Sequence, residues 1–203
     1  MTIRQNQAQK MEPLILKIIY GLSVLASIVI RTPHERRNKS NKIVDDQKTT
    51  LEKVLLFLVF IGMMISPLIY VFTGILDFAN YTLPLVFQWA GVLFIVLFVW
   101  LFYRSHKDLG QNWSVSLEIR DEHTLVSSGV YRKIRHPMYT AIWCWVIGQS
   151  LLLHNYIAGL SGILTFGLMY LLRVGPEEQM MEKTFGEQYK VYKTKTGRLL
   201  PKF

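Results

Sequence analysis

Cysteine is almost absent from this chain of 203 residues, which contains only Cys144. A single cysteine cannot form an internal disulfide or a cysteine-based zinc site, so both are excluded as sources of stability. Cys144 lies inside an apolar block, where we expect it to pack as a small buried side chain. The sequence predicts no metal site.

Charged residues are missing from long stretches of the chain. The charges that are present are mostly positive, with 23 Lys and Arg against 14 Asp and Glu. The charges fall between apolar blocks that are long enough to cross a bilayer, which takes roughly 20 residues of helix. A net charge of +9 suits either nucleic acid or an anionic membrane surface, because both attract cations. The apolar blocks favour the membrane, and we expect no nucleic-acid partner.

The pattern predicts an all-α polytopic membrane protein with about five transmembrane helices. The predicted spans cover residues 14–30, 54–76, 83–103, 139–153 and 156–172. Lys17 lies near enough to the end of the first span for its side chain to reach the interface. Only His154 and Asn155 separate the last two spans, which predicts a tight helical hairpin. The polar N-terminus has no small-residue cleavage site, so we expect an uncleaved first span.

Two predicted loops, at residues 77–82 and 154–155, lack Lys and Arg altogether. Most basic residues lie in segments 31–53 and 104–135 and after Leu172. The positive-inside rule therefore places these three segments in the cytoplasm and the N-terminus outside. We divide the chain into a three-span region, residues 1–103, and a region that carries the candidate site, residues 104–203. The charged loop at residues 31–53 contains the only candidate linker, residues 31–50.

The segment at residues 123–141 reads HTLVSSGVYRKIRHPMYTA and directly precedes the fourth span. Pro137 restricts His136 to an extended conformation and suits the first turn of a helix. We therefore expect His136 at a helix N-terminus on the membrane surface, where backbone N–H groups can hold a carboxylate. The simpler interpretation is a basic and aromatic membrane anchor, which is common at such positions.

A second cluster follows the fifth span, where Arg173 is succeeded by Gly175-Pro176 and then by Glu177-Glu178. We expect Gly-Pro to break the helix, so that the two glutamates begin a new one, where carboxylates are favourable. The simpler interpretation is a snorkelling arginine beside two carboxylates that complement a helix dipole. Taken with the first segment, a cation and a carboxylate at membrane depth suit an amphiphilic substrate and a zwitterionic cofactor.

In these segments the sequence resembles the isoprenylcysteine carboxyl methyltransferase family. The resemblance rests on LVSSGVYRKIRHPMY at 125–139, Arg173 followed by Glu177-Glu178, FGEQYKVY at 185–192, and Leu200-Pro201. RHPMY alone is a weak signal, whereas the combined pattern, over roughly the last 90 residues, is specific. The first three spans carry no motif of the family. Two positions depart from its pattern: Ala141 replaces a usual glycine, and Ser116 replaces a glutamine of some members.

The resemblance implies an integral membrane methyltransferase that uses S-adenosylmethionine and methylates a carboxylate of a lipophilic substrate, such as a prenylated cysteine, entering from the bilayer. It assigns the substrate carboxylate to Arg173, which is the candidate catalytic residue. The cofactor-binding residues that it implies are His123, Thr124, Leu125, Val126, Tyr131, His136, Pro137, Met138, Tyr139 and Glu177.

General chemistry agrees with this expectation. A carboxylate is already ionised at pH 7, so methylation needs no general base and depends mainly on positioning. Two opposite charges disappear in the transition state, which favours a dry site at membrane level. Tyr131 and Tyr139 can offer aromatic faces to a sulfonium or an adenine. The chain has no G-x-G-x-x-G loop, which argues against a Rossmann-type methyltransferase.

Three alternatives stay open from the sequence. A methyltransferase for a lipid amine or another small lipophile needs a base, for which His123 and His136 are the nearest histidines. A nicotinamide-dependent membrane reductase of the sterol-reductase type has a similar C-terminal layout, but the RHPMY segment and the Arg173–Glu177 pair argue against it. The third alternative is a non-catalytic scaffold or a small transporter. Charged residues deep in the spans would favour a transporter, but only Lys17 lies inside an apolar block.

Overall fold

A computed structural model of the protein describes residues 11–38, 43–46, 49–110, 118–120 and 124–202. Its helices are α1 (Pro13–Asn38), α2 (Thr50–Phe60), α3 (Ser66–Phe72), α4 (Leu85–Leu109), α5 (Pro137–Leu153), α6 (Tyr156–Phe185) and α7 (Glu187–Lys195). Strands β1 (Ile43–Asp46) and β2 (Glu118–Arg120) pair in an antiparallel ribbon. Short 3₁₀ turns lie at Asp77–Ala79 and Gly129–Arg132.

Four helices in the described part of the chain are long and apolar enough to cross a membrane. They are Pro13–Arg36, Thr50–Phe72, Leu85–Leu109 and Tyr156–Phe185, and the apolar helix α5 is shorter, at 17 residues. Large apolar side chains such as Leu93, Trp100 and Leu164 are exposed on their outer faces, as a lipid-facing surface requires. The prediction of an all-α polytopic membrane protein is confirmed, although it did not include the small ribbon.

The second span contains a wider turn in its middle. A π-helical turn, Ile61–Ile65, joins α2 to α3 and directly precedes Pro67 in the first turn of α3. Proline crowds the preceding turn of a helix and lacks an N–H, and a π turn accommodates both effects. The carbonyl of Gly62 accepts hydrogen bonds from Gln149 Nε2 at 3.0 Å and Ser161 Oγ at 2.7 Å. These bonds fix the second span against α5 and α6.

The predicted hairpin between the last two helices is present. His154 adopts a left-handed conformation with φ of 47° after α5, and the Asn155 side chain caps α6 by accepting from the N–H groups of Ile157 and Ala158. Asn155 Nδ2 also donates to the Leu76 carbonyl at 2.7 Å. The two loops that lack Lys and Arg therefore meet at one end of the bundle.

The three basic segments meet at the opposite end. The β1–β2 ribbon pairs Ile43 with Arg120 and so joins the loop after α1 to the loop after α4. At the same end, Glu52 Oε1 in the first turn of α2 lies 3.6 Å from Arg173 Nη2 in α6. This arrangement agrees with the grouping that the charge pattern predicts.

Two predicted boundaries are wrong. Helix α1 continues through Pro33 to Asn38, so part of the predicted linker is helical. Helix α6 continues through Pro176 to Phe185, and its C-cap is Gly186, with φ of 53°. The predicted break at Gly175-Pro176 is therefore wrong, and Glu177 and Glu178 lie within α6. Proline costs a helix about 3 kcal/mol, and we attribute the continuity to the ion pairs of this stretch of α6 with neighbouring segments.

The shared side of the basic segments is testable by cysteine labelling. Single cysteines at Asn38, Gln111 and Lys195, placed in a Cys144→Ser background, should all react with an impermeant maleimide from the cytoplasmic side only, because the positive-inside rule places all three there. Labelling of any one of them from the opposite face would contradict the five-span arrangement.

Candidate functional site

The RHPMY segment forms the start of α5 and contacts the C-terminal tail, the residues after α7. His136 is the N-cap of α5, and Pro137 occupies its first turn, as the sequence predicts. The backbone N–H groups of Arg135 and His136 donate to the carbonyls of Gly197 at 2.8 Å and Arg198 at 3.0 Å. Both N–H groups therefore bind the tail, and carboxylates meet the side chains of this segment instead.

Glu178 joins three parts of the protein through its buried carboxylate, which is 6% exposed. It accepts from Arg135 Nε at 3.2 Å, from His136 Nε2 at 3.2 Å and from Arg198 Nη2 at 2.7 Å. Arg198 also donates through Nε at 3.1 Å, so it grips the carboxylate with both arms of its guanidinium. Glu178 thereby ties α6 to the start of α5 and to the tail, which is a structural role.

Glu177 faces a different set of partners and stays accessible. The Tyr139 hydroxyl donates to its Oε2, while Oε1 lies 3.6 Å from His136 Nδ1. Arg173 Nε lies 3.8 Å from Oε2, one helical turn earlier on α6. The Glu177 side chain is 26% exposed, so its carboxylate can meet a ligand while the neighbouring groups orient it.

His136 is buried between these two carboxylates. Burial lowers the pKa of His136, but the hydrogen bonds and negative charges of Glu177 and Glu178 outweigh this effect and hold its pKa above the usual value. A protonated imidazole donates from both nitrogens, which matches the two carboxylates. The ring also stacks on Tyr139, with centroids 5.3 Å apart. His136 therefore orders the site and has no free nitrogen for general base catalysis.

Arg173 lies between carboxylates from two helices. Besides Glu177, it faces Glu52 of α2, whose Oε1 is 3.6 Å from Arg173 Nη2. The Glu52 side chain is 6% exposed and that of Arg173 is 10% exposed. Sequence reasoning missed Glu52, because the first three spans carry no family motif. The only signal in the sequence was a lone carboxylate in the first turn of a mostly apolar helix, after the Thr49 cap.

Tyr131 borders the site from the 3₁₀ turn Gly129–Arg132. Its carbonyl accepts from the Tyr192 hydroxyl at 2.7 Å, which connects this turn to α7. Burial raises the pKa of Tyr131, and the nearby Tyr192, Glu177 and Asp108 raise it further. The phenol is therefore neutral at physiological pH and can donate a hydrogen bond.

Residues 90–183 match the sequence model of the isoprenylcysteine carboxyl methyltransferase (ICMT) family. This region makes up 94 of the 203 residues, and over it the chain is similar to this family. It is 37% identical over 113 residues to human protein-S-isoprenylcysteine O-methyltransferase, covering 55% of this chain and 40% of that protein. The protein of the same name from Schizosaccharomyces pombe is 29% identical over 118 residues, covering 57% of this chain and 50% of that protein. The chain thus spans half or less of the length of these curated relatives.

The family match covers only part of the site. Tyr139, His136, Arg173 and Glu177 lie inside residues 90–183, whereas Glu52 and the tail lie outside them. The comparisons favour a methyltransferase and do not favour the nicotinamide-dependent reductase.

The structure brings His136, Tyr139, Arg173 and Glu177 together, as the resemblance implies for one site. Pro137 is buried in the first turn of α5, and Met138 packs against the core. Thr124, Leu125 and Val126 lie in an irregular segment before Gly129, where Thr124 is exposed and the other two are half-buried. Their part in cofactor binding stays a prediction. His123 and Ser116 lie outside the described residues.

Glu178→Gln should destabilise the fold, because it removes the buried negative charge that Arg135, His136 and Arg198 share. The expected loss is about 3 kcal/mol, or roughly 6–12 °C in apparent Tm for a chain of this size. Thermal unfolding in detergent measures it. Glu187→Gln is the matched control, since Glu187 is exposed and pairs only with Lys190 at 2.6 Å among the described contacts, and such exposed pairs contribute little. Equal Tm values for the two variants would contradict the structural role of Glu178.

Proposed function

We propose that the protein is an integral membrane methyltransferase that moves the methyl group of S-adenosylmethionine to a carboxylate of a lipophilic substrate, such as a prenylated cysteine. The observation that carries the proposal is the pairing of Arg173 with Glu177, one helical turn apart at the end of the membrane bundle and facing Tyr139. Relatives of the matched region are named for this reaction on isoprenylcysteine. We propose that the catalytic face is cytoplasmic, because the basic loops surround it.

The described residues fit the proposed cofactor. The accessible carboxylate of Glu177 suits the ammonium group of an amino-acid moiety, with which it forms a charge-assisted hydrogen bond. The Tyr139 ring, which His136 orients by stacking, offers an aromatic face beside it. S-adenosylmethionine supplies a methyl group on a sulfonium, and its transfer to a carboxylate oxygen leaves S-adenosylhomocysteine and a methyl ester.

The electrostatics favour a carboxylate acceptor over an amine. An amine must lose a proton before it attacks, whereas a carboxylate is already ionised at neutral pH. His136 is a poor base here, because both of its nitrogens face glutamates and its pKa is raised. Arg173 supplies the cation that an anionic head group needs, at the level where an apolar tail still lies in lipid.

Product chemistry tests the proposal. The purified protein should transfer label from methyl-labelled S-adenosylmethionine to a farnesylated cysteine with a free carboxylate, and mild base should release that label as methanol. A base-stable product, or transfer to a lipid amine alone, would overturn the carboxylate acceptor. Failure to bind S-adenosylhomocysteine by calorimetry, together with no transfer to either acceptor, would overturn the methyltransferase itself.

A further inference from the structure

We infer that Glu52 controls the access of the substrate carboxylate to Arg173, which makes Glu52 a specificity-determining residue. The inference rests on the proposed function, in which Arg173 binds the carboxylate of a lipophilic substrate. Glu52 belongs to α2, outside residues 90–183 that match the family. The first half of the chain thereby gains a part in substrate selection.

The packing of the second span on α6 places Glu52 opposite Arg173. The two helices run antiparallel and approach closely at Gly62, where an added Cβ would lie 2.7 Å from the Ser161 carbonyl oxygen. Glu52 precedes Gly62 by ten residues, and Arg173 follows Ser161 by twelve. These offsets correspond to roughly 15 and 18 Å of helix, so both side chains reach the same end of the bundle.

Glu52 lies beside Nη2 of Arg173, the nitrogen that a substrate carboxylate would also need. Its Oε1 lies 3.6 Å from Arg173 Nη2, whereas Glu177 lies on the Nε side, 3.8 Å away. An arginine binds a carboxylate bidentately either through Nε with Nη2 or through Nη1 with Nη2. Both arrangements use Nη2. A substrate carboxylate therefore competes with Glu52 for Arg173, and the two negative charges repel each other.

This competition acts on anionic ligands alone. The Glu52 and Arg173 side chains are only 6% and 10% exposed, so little water screens the repulsion between Glu52 and an incoming carboxylate. A neutral head group has no negative charge for Glu52 to repel. Glu52 therefore lowers the affinity for a lipophilic carboxylate relative to its uncharged ester, a use of repulsive elements that is common in specific sites.

Glu52→Gln should strengthen the binding of a carboxylate and leave neutral ligands unaffected. The probes are farnesylated cysteine with a free carboxylate, its methyl ester and S-adenosylhomocysteine, each titrated into the purified full-length protein by calorimetry. We expect the Kd of the acid to fall about tenfold, because a competing like charge is removed. The Kd values of the ester and of S-adenosylhomocysteine should not change.

Glu35→Gln is the matched control for a general charge effect. Glu35 lies near the C-terminal end of α1, pairs with Arg31 at 3.8 Å and is about half exposed. Its substitution removes one negative charge without touching Arg173, so the Kd of the acid should stay at the wild-type value. An equal gain in both variants would overturn the assignment to Glu52.

Unchanged or weaker acid binding by Glu52→Gln, with S-adenosylhomocysteine binding intact, would overturn the inference. Should that variant fail to fold, Glu52→Asp keeps the charge but withdraws it by one methylene. We expect it to bind the acid about two- to threefold more tightly, and no gain would equally overturn the inference. If the wild-type protein methylates the acid and the Glu52 variants bind the acid with an unchanged Kd, only the inference is rejected. A wild-type protein that binds neither acid nor ester rejects the proposed function.

Discussion

Glu177→Gln should raise the Kd for S-adenosylhomocysteine about 10- to 150-fold, and Glu178→Gln should raise it far less. The first substitution removes a charge-assisted bond to the cofactor ammonium, worth about 1.5–3 kcal/mol. Glu177 is 26% exposed and can meet a ligand, whereas Glu178 is 6% exposed and engages Arg135, His136 and Arg198. We therefore expect the two neighbouring glutamates to have separate roles, the first in cofactor binding and the second in structure.

Calorimetry and thermal unfolding on the same preparations separate these roles. Glu177→Gln should lose affinity with a small change in Tm, and Glu178→Gln should show the reverse pattern. Glu182→Gln is the control on the same helix, because Glu182 pairs with Lys193 at 3.2 Å near the end of α6, and neither property should change. Equal Kd values for the Glu177 and Glu178 variants would contradict the assignment of Glu177 to the cofactor.

The helices were predictable because a membrane imposes long apolar runs whose loops differ in charge. The spans, the Asn155 hairpin and the grouping of the basic loops all follow from that constraint. The continuation of α6 through Pro176 did not follow from local sequence. Gly175-Pro176 favours a break, and the ion pairs of Arg173 and Glu178 that accompany the continuous helix come from segments far away in the chain.

The site was predictable only where residues form a recognisable pattern. His136, Tyr139, Arg173 and Glu177 belong to such a pattern, and the structure brings them together. Glu52 and Arg198 belong to none, since their contacts depend on the packing of α2 on α6 and on the path of the tail. A carboxylate near the start of an apolar helix is equally typical of a dipole-complementing residue.

Arg173→Lys should lower kcat/KM for a lipophilic carboxylate about 10- to 150-fold while leaving the Kd for S-adenosylhomocysteine nearly unchanged. A lysine keeps the positive charge beside Glu177, so the negative charge of Glu177 on the cofactor side of the site stays balanced. It cannot reproduce the two parallel hydrogen bonds by which a guanidinium grips a carboxylate. Loss of that bidentate contact removes about 1.5–3 kcal/mol of interaction with the substrate. Steady-state kinetics with farnesylated cysteine, paired with calorimetry, measure both quantities.

Arg104→Lys is the control that separates anchoring from snorkelling. Arg104 also lies near the end of a membrane helix on the side of the basic loops and pairs with Asp108 at 3.5 Å, but its side chain is 38% exposed. If Arg173 served only to reach the interface, lysine would replace it as well as it replaces Arg104, because both side chains snorkel. Full activity of Arg173→Lys would therefore contradict the substrate role and leave the cofactor site intact. If activity is lost in Arg173→Lys but kept in Arg104→Lys, the reaction requires the planar guanidinium of Arg173. Both substitutions keep the positive charge and its position at the membrane, so neither of these can explain the difference.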